Sequence, residues 1–303
     1  MTTAVQNQSV DNAQAAGAAS WRLRVAVASE MAVKIANRLP AMIRFVVVPI
    51  AAVIHESVTL GILRPSDVDR MVEKTYSNRP KFYDPREYQL PYEGRLLPML
   101  QELSRGKKLL DAFCGQGREA ELFVSAGFNV TAIDRLAWMI EAGKVFAQEK
   151  QFDVEFIATD FWEFVPERPF DVVYTSCWMY STCQGRDRRA AFLQKCKACC
   201  SEDGVIVLST VERSSGQFAG ACLRFLLVKC VALATLGNLR SEFGERTYSG
   251  LFWHHLSESV VRKEVAAEGL LVLRVMKGTG IDPTFYLLSR LDRVRDGNVS
   301  GAS

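Results

Sequence analysis

Histidine is scarce in this chain, three residues in 303, so a general base of that type has few places to sit. Net charge is also small: 37 Lys and Arg against 34 Asp and Glu leave +3, which is no argument for a nucleic-acid partner. The longest clean apolar run, Phe45–Ile54, is too short to span a bilayer. Eight cysteines lack the spacing of a secreted disulfide scaffold, and the amino terminus lacks a signal-peptide pattern. Free thiols in a reducing cytosol are expected. Cys196-Lys-Ala-Cys199-Cys200 has no second C-x-x-C to complete a zinc site. No metal site is expected, and these cysteines read as small buried residues near a helix end.

What is present describes an ordinary globular protein, 49% hydrophobic and 23% charged, with room for one α/β domain and an extra layer. Residues 1–20 and 293–303 are read as disordered tails. Residues 21–92 form a helical layer, broken by Pro40 and Pro49, and a loop within Tyr76–Gly94, where Tyr76, Tyr83, Tyr88 and Tyr92 are interleaved with Pro80, Pro85 and Pro91 and no long regular helix is expected. That loop either lies over a ligand or straps the layer to the sheet. In and just after Trp21–Leu63 the bases Arg22, Arg24, Lys34, Arg38, Arg44 and Arg64 face only Glu30 and Glu56. Two readings stay open: a basic amphipathic segment touching anionic lipid or a partner helix, and a packed layer with solvated arginines.

From Glu93 helix and strand patterns alternate. Helices are expected at Glu93–Ser104, Arg118–Ala126, Leu136–Glu149 and Asp187–Cys200. Strands are expected at Lys108–Phe113, Phe128–Ile133, Val154–Ala158, Phe170–Thr175 and Gly204–Thr210. Short apolar runs without alternation suit strands buried on both faces of a parallel sheet. Gly127 stands where a helix C-cap wants glycine, and Ser257 is placed as the N-cap of a later helix. The runs Leu270–Met276 and Thr284–Ser289 are joined too briefly for a parallel crossover, so they should pair as an antiparallel hairpin. An insert, 213–250, holds the apolar stretch Phe218–Leu236. Arg224 and Lys229 within it would cost about 5–7 kcal/mol in a bilayer against about 3–5 gained. A buried lid helix, or a purely structural one, is the better account.

The chemistry concentrates in Leu109–Gly117, L-L-D-A-F-C-G-Q-G, a strand running into an acid and a glycine turn, followed by a second strand ending at Asp134. This is a nucleotide-binding half of a doubly wound sheet. Gly115-Gln-Gly117-Arg-Glu-Ala120 also satisfies G-x-G-x-x-A, so a dinucleotide oxidoreductase is a competing reading. Against it, Asp111 at the strand end would repel a pyrophosphate, and the closing hairpin is foreign to the usual nicotinamide fold.

These residues resemble the class I S-adenosylmethionine-dependent methyltransferases over about Glu93–Leu291. The resemblance implies an α/β fold: a doubly wound, seven-stranded, mostly parallel sheet with an antiparallel last strand, here with an N-terminal helical layer and a helical insert. It implies S-adenosyl-L-methionine as cofactor. Asp111, Ala112, Phe113, Gly115 and Gly117 would line its methionine end, and Asp134 its ribose diol, beside Arg135. Asp160 and Phe161 would meet the adenine, and Cys177 joins the lining. Phe113 stands where the commonest motif has its first glycine. The form D-x-F-C-G-x-G occurs in some DNA- and RNA-modifying members, but Asp171–Trp178 has neither N/D-P-P-Y nor a Pro-Cys nucleophile, and no basic run with interleaved aromatics is found.

In the resembling family the segment holding His254 and His255 borders the substrate. Either histidine is then a general base, or both are packing or capping residues. Tyr180, Tyr248 and Trp253 are pocket candidates, while Trp162 and Trp178 read equally as core or pocket. The expected activity is methyl transfer to a small or apolar, lipid-like acceptor at oxygen, in the cytoplasm, with peripheral membrane contact through 21–63 open and no nucleic acid. The alternatives are a nucleic-acid or protein methyltransferase and a non-catalytic cofactor-binding protein anchored by its N-terminal helices. The acceptor and the oligomeric state are not legible.

Overall fold

The computed structural model describes residues 21–77, 85, 92–175, 178–213, 218–248, 250–278 and 282–291. Both expected tails, most of the Tyr/Pro-rich loop and Cys177 lie outside these residues. In chain order the helices are α1 (residues 21–36), α2 (Ala41–Ile62), α3 (Pro65–Ser77), α4 (Tyr92–Leu103), α5 (Arg118–Ser125), α6 (Ala137–Lys150), α7 (Gly185–Cys199), α8 (Phe218–Thr235) and α9 (Glu258–Ala267). The strands are β1 (Lys108–Ala112), β2 (Asn129–Asp134), β3 (Glu155–Ala158), β4 (Phe170–Thr175), β5 (Cys200–Glu212), β6 (Glu245–Tyr248), β7 (Leu251–Leu256), β8 (Leu270–Met276) and β9 (Thr284–Arg290). Two units emerge: a helical unit, Met1–Asn78 with Ser214–Trp253, and a sheet unit, Arg79–Arg213 with His254–Ser303.

The strands run β3-β2-β1-β4-β5-β9-β8, with β9 antiparallel to both its neighbours and β1 to β5 mutually parallel. The long β5 also pairs with β7 in parallel, Val211 opposite His255, so that with β6 the sheet has nine strands rather than the seven expected. Successive residues point to opposite faces, and the core divides accordingly. Leu110, Ala112, Val173, Ile206, Leu208 and Tyr286 pack with Phe192 and Leu193 of α7 and Val261 and Val265 of α9. Leu109, Val172, Tyr174, Val205, Val207 and Phe285 pack on the other face with α4, Phe123 of α5 and Ile140 of α6. Both faces are covered, as a doubly wound sheet requires. The expected hairpin is β8–β9, with Leu270 opposite Arg290 and Met276 opposite Phe285.

Gly127 closes α5 in a Schellman motif. Phe128 N–H donates to Phe123 O at 3.1 Å and Gly127 N–H to Val124 O at 2.9 Å. Gly127 sits at φ +86°, and the Phe123 and Phe128 rings meet edge-on. Ser257 does occupy the N-cap position of α9 with extended backbone, but its hydroxyl makes no capping bond and reaches Ser259 Oγ instead.

The helical unit corrects several expectations. Pro40 precedes α2, but Pro49 lies inside it, costing a ladder bond without ending the helix. A 22-residue helix therefore replaces the short run, and by length and composition alone it is apolar enough to cross a membrane, with a mean hydropathy of 1.9. Clean runs stop at Arg44, His55 and Glu56, whereas a helix continues through them. Arg22 is neither solvated nor lipid-facing. It is buried and donates to Ile62 O at 2.7 Å and Thr235 O at 3.5 Å, placing a cation on the negative ends of both α2 and α8. Glu56 is buried between Arg224, 2.9 Å away, and Arg246. Lys229 donates to Leu239 O and Ser241 O at 2.8 and 2.6 Å. The two helices approach closely at Gly61, where a Cβ would stand 2.8 Å from Val231 Cβ. Only part of α8 is buried as expected: Val228 and Ala232 are, while Leu226 and Leu233 are exposed.

Candidate active site

The sheet order reverses between β1 and β4, and the crevice at the carboxyl ends of strands at such a point is where doubly wound folds take ligands. Asp111 and Ala112 end β1, both fully buried. The chain then turns sharply. Cys114 N–H donates to Ile133 O at 3.0 Å and Gly117 N–H to Cys114 O at 2.9 Å. Gly115 and Gly117 adopt φ +56° and +77°, a region that L side chains enter only with strain. At Gly117 a Cβ would also lie 2.7 Å from Phe156 Cζ, so glycine is needed there for conformation and for space.

Phe113 enters the same left-handed region at φ +64°. The position keeps the backbone a glycine would take, at a cost on the order of 1–2 kcal/mol. Its ring packs 4.9 Å from Phe161 and 5.9 Å from Phe192, and such pairs contribute about 0.5–1.5 kcal/mol each. The aromatic cluster thus offsets the departure from the usual motif. Phe161 is itself almost wholly buried, and Trp162 beside it is the ring that reaches solvent, 42% exposed.

Asp134, at the end of β2, joins three segments. Its Oδ2 accepts from Gly115 N–H at 3.1 Å and its Oδ1 from Leu136 N–H at 2.9 Å, while its backbone O accepts from Thr159 N–H. Burial pushes its carboxyl up, opposed by those two N–H bonds and by Arg135. Asp160 Oδ1 accepts from Trp162 N–H at 2.9 Å. Burial raises the Cys114 thiol well above its usual range, and Asp111, Asp134 and Glu119 add to the rise. Cys114 is therefore a neutral thiol, and the turn gathers the acids Asp111, Asp134 and Glu119, the last paired with Arg118. A pyrophosphate is poorly served here; a cation and a diol are well served.

His254 and His255 lie on β7 rather than on a helix entrance, and on opposite sides of it. His254 is buried, with Nδ1 2.9 Å from Arg189 Nη1. Arg189 also donates from Nε and Nη2 to Glu264 at 2.9 and 2.7 Å, and the Tyr180 hydroxyl donates to Glu264 Oε2 at 2.8 Å. Tyr180, expected on a pocket wall, is completely buried, and burial with Glu264 beside it holds its hydroxyl protonated. Neither Arg189 nor Glu264 belongs to a motif in the sequence. The available signal was a charge on an apolar stripe: Arg189 shares a face with Phe192, Leu193 and Cys196, and Glu264 with Val261. Tyr248 and Trp253 belong to the helical unit, where their rings stack at 6.1 Å.

A family model described as a methyltransferase domain matches residues 85–258. The chain belongs to that family. Among curated relatives, this methyltransferase is similar to a ubiquinone biosynthesis O-methyltransferase of Actinobacillus pleuropneumoniae serotype 7, 30% identical over 119 residues. That match covers 36% of this chain and 47% of the relative. One of the same name from Rhodopseudomonas palustris is 30% identical over 114 residues, covering 38% and 44%. The chain thus spans less than half the length of these relatives. In fold the methyltransferase resembles the Burkholderia thailandensis 1,6-didemethyltoxoflavin-N1-methyltransferase crystallised with its substrate and S-adenosylhomocysteine. The TM-score is 0.55 at 16% identity, covering 76% of this chain and 91% of the other. It also resembles an S-adenosylmethionine-dependent methyltransferase of Clostridium acetobutylicum, with a TM-score of 0.51 at 13% identity, covering 71% and 98%.

Proposed function

We propose that this methyltransferase uses S-adenosylmethionine to methylate an oxygen of a small, apolar acceptor. The observation that carries the cofactor half is the glycine turn fastened to Asp134 within a cluster of acids. The names of the curated relatives support oxygen as the acceptor atom. S-adenosylmethionine supplies an electrophilic methyl on a sulfonium centre.

In this reading Asp134 spends one lone pair of each oxygen on a backbone N–H and keeps the others for a cis-diol. Asp111, with Asp134 and Glu119, favours positive charge at the turn, and Gly115 and Gly117 let backbone approach a ligand without a Cβ between. Asp160, held by Trp162 N–H, takes the adenine amino group, and Trp162 offers the exposed ring. Most of the rate comes from alignment, on the order of 7–11 kcal/mol for well-held reactants. We assign proton removal from the acceptor hydroxyl to His255. His254 is buried, with its Nδ1 taken up by Arg189 Nη1. The location that goes with this reading is the cytoplasm, at the face of a membrane touched by residues 21–63.

Calorimetric titration with S-adenosylhomocysteine tests the assignment. The intact protein binds it, and Asp134→Ala weakens binding at least about tenfold, as loss of a charged acceptor to a diol should. Binding of NADH in place of S-adenosylhomocysteine, or unchanged affinity in the variant, would overturn it. Transfer of labelled methyl to a hydroxylated apolar compound tests the oxygen.

A further inference from the structure

We infer that the helical unit docks on an anionic lipid bilayer, with the first half of α2 as the element that enters the lipid. This rests on the membrane contact proposed for residues 21–63 and names its partner and its inserted side chains.

Along α2 the usual order of a surface helix is reversed. Its far end, Glu56–Ile62 apart from Val58, is buried, charge included. Its apolar beginning is not: Met42 is 89% and Phe45 83% exposed, and Ile50 is exposed as well. The six residues from Ala41 to Val46 are exposed without interruption. At 3.6 residues per turn that is more than a full turn open on every side. A protein groove receives one stripe of a helix; a turn open all round is covered by a medium that surrounds it. Met31 of α1 and Leu226 of α8 add exposed apolar side chains in the same unit.

Charge selects the kind of surface. Between Arg22 and His55 the chain carries five bases and one acid, Glu30. Arg22 is spent internally, and Glu30 pairs with Lys34 at 3.0 Å. Arg38 and Arg44 are exposed and lie at the apolar turn with no ion pair among the described residues, while Arg24, exposed as well, belongs near the other end of α2, where Arg22 reaches Ile62 O. Bases flanking an apolar element are what anionic headgroups attract, since long basic side chains reach headgroup level while their stems stay in the apolar layer.

The test is flotation of the full chain with phosphatidylcholine vesicles and with vesicles carrying about a third phosphatidylglycerol, at low and high salt. The expected result is binding to the anionic vesicles that is about tenfold weaker or more on neutral ones and weakens with salt. Met42→Asp with Phe45→Asp, and separately Arg38→Glu with Arg44→Glu, each reduce binding about tenfold or more. S-adenosylhomocysteine affinity stays unchanged in both, which shows the sheet unit folded. Flotation that ignores lipid charge or survives both pairs of substitutions would sink this docking mode while leaving a membrane contact. No flotation on any vesicle would end the membrane contact itself. A dimer in light scattering that Met42→Asp with Phe45→Asp dissolves would assign the face to a second copy of the chain and overturn the proposal.

Discussion

Replacing Glu264 by alanine removes the acceptor of a bidentate pair whose side chains are 2% and 9% exposed. Arg189 keeps its charge, since a guanidinium cannot shed its proton at any working pH. It is left among Phe192, Leu193 and Cys196 without its carboxylate counter-charge. Breaking a buried pair by removing one member costs about 3–5 kcal/mol, and the Tyr180 hydroxyl loses its acceptor as well, which places the expected cost in the upper half of that range. With about 2–4 °C per kcal/mol for a unit of this size, the melting point of the sheet unit should fall by about 8–20 °C. Burial removes the solvent screening that weakens exposed pairs. The assay is urea and thermal unfolding followed by circular dichroism for Glu264→Ala, Arg189→Met and the double variant. The double variant removes both charges, so its cost should be smaller than the sum of the singles, by about 1–3 kcal/mol. A Glu264→Ala cost under about 1 kcal/mol, or strict additivity across the cycle, would show that the network does not hold α7, α9 and β7 together as argued.

Gly117→Ala forces a side chain to φ +77° and sets its Cβ 2.7 Å from Phe156 Cζ. Strain of about 1–2 kcal/mol and overpacking of about 1–3 kcal/mol should lower stability together, with loss of S-adenosylhomocysteine binding in calorimetry; a wild-type melting point refutes it. The affinity for S-adenosylhomocysteine should fall on acidification, with a midpoint above the ordinary aspartate value, because burial holds the Asp134 carboxyl up and the ionised form accepts the diol. The stability effect of that carboxyl runs the other way. The folded state binds more protons between the unfolded and the raised folded pKa, so its share of stability is present at low pH and declines as pH rises through that window. Asp134→Asn should abolish the acid-side loss of affinity, which titrations across the pH range would show. His255→Ala should reduce kcat on a hydroxyl acceptor about a hundredfold or more with S-adenosylhomocysteine affinity unchanged; an unaltered rate would exclude His255 as the base.

The sheet was legible because its signals are local. Phe170–Thr175 and Leu270–Met276 appear as strands with the expected bounds, since a run of apolar residues between turn residues has few other uses. Gly127 announced a helix end because only a left-handed backbone completes that cap. The acids of the turn could be placed because each follows a strand. What escaped was charge with a long-range partner. Nothing near Arg22 in the sequence points to carbonyls at residues 62 and 235, and Glu56 reads as a surface acid until Arg224 and Arg246 are beside it. Pro49 misled for a related reason: its local penalty suggests a break, and the packing of the rest of α2 outweighs one lost bond.

Arg22 has a practical consequence. Its guanidinium is tied to backbone oxygens at Ile62 and Thr235, so the amino-terminal helices and the stretch around α8 are halves of one folded piece split by the whole of the catalytic core's early sequence. Cutting away residues 21–63 would leave α8 with its buried face, Val228 and Ala232, bare to water. Such a shortened chain would be sticky and prone to aggregate, and any change in its behaviour would report that damage rather than the function of the part removed. The same dependence should show in relatives as shared loss: a homologue that drops its leading helices should also have shed or polar-coated the α8 segment, and one that keeps either should keep both.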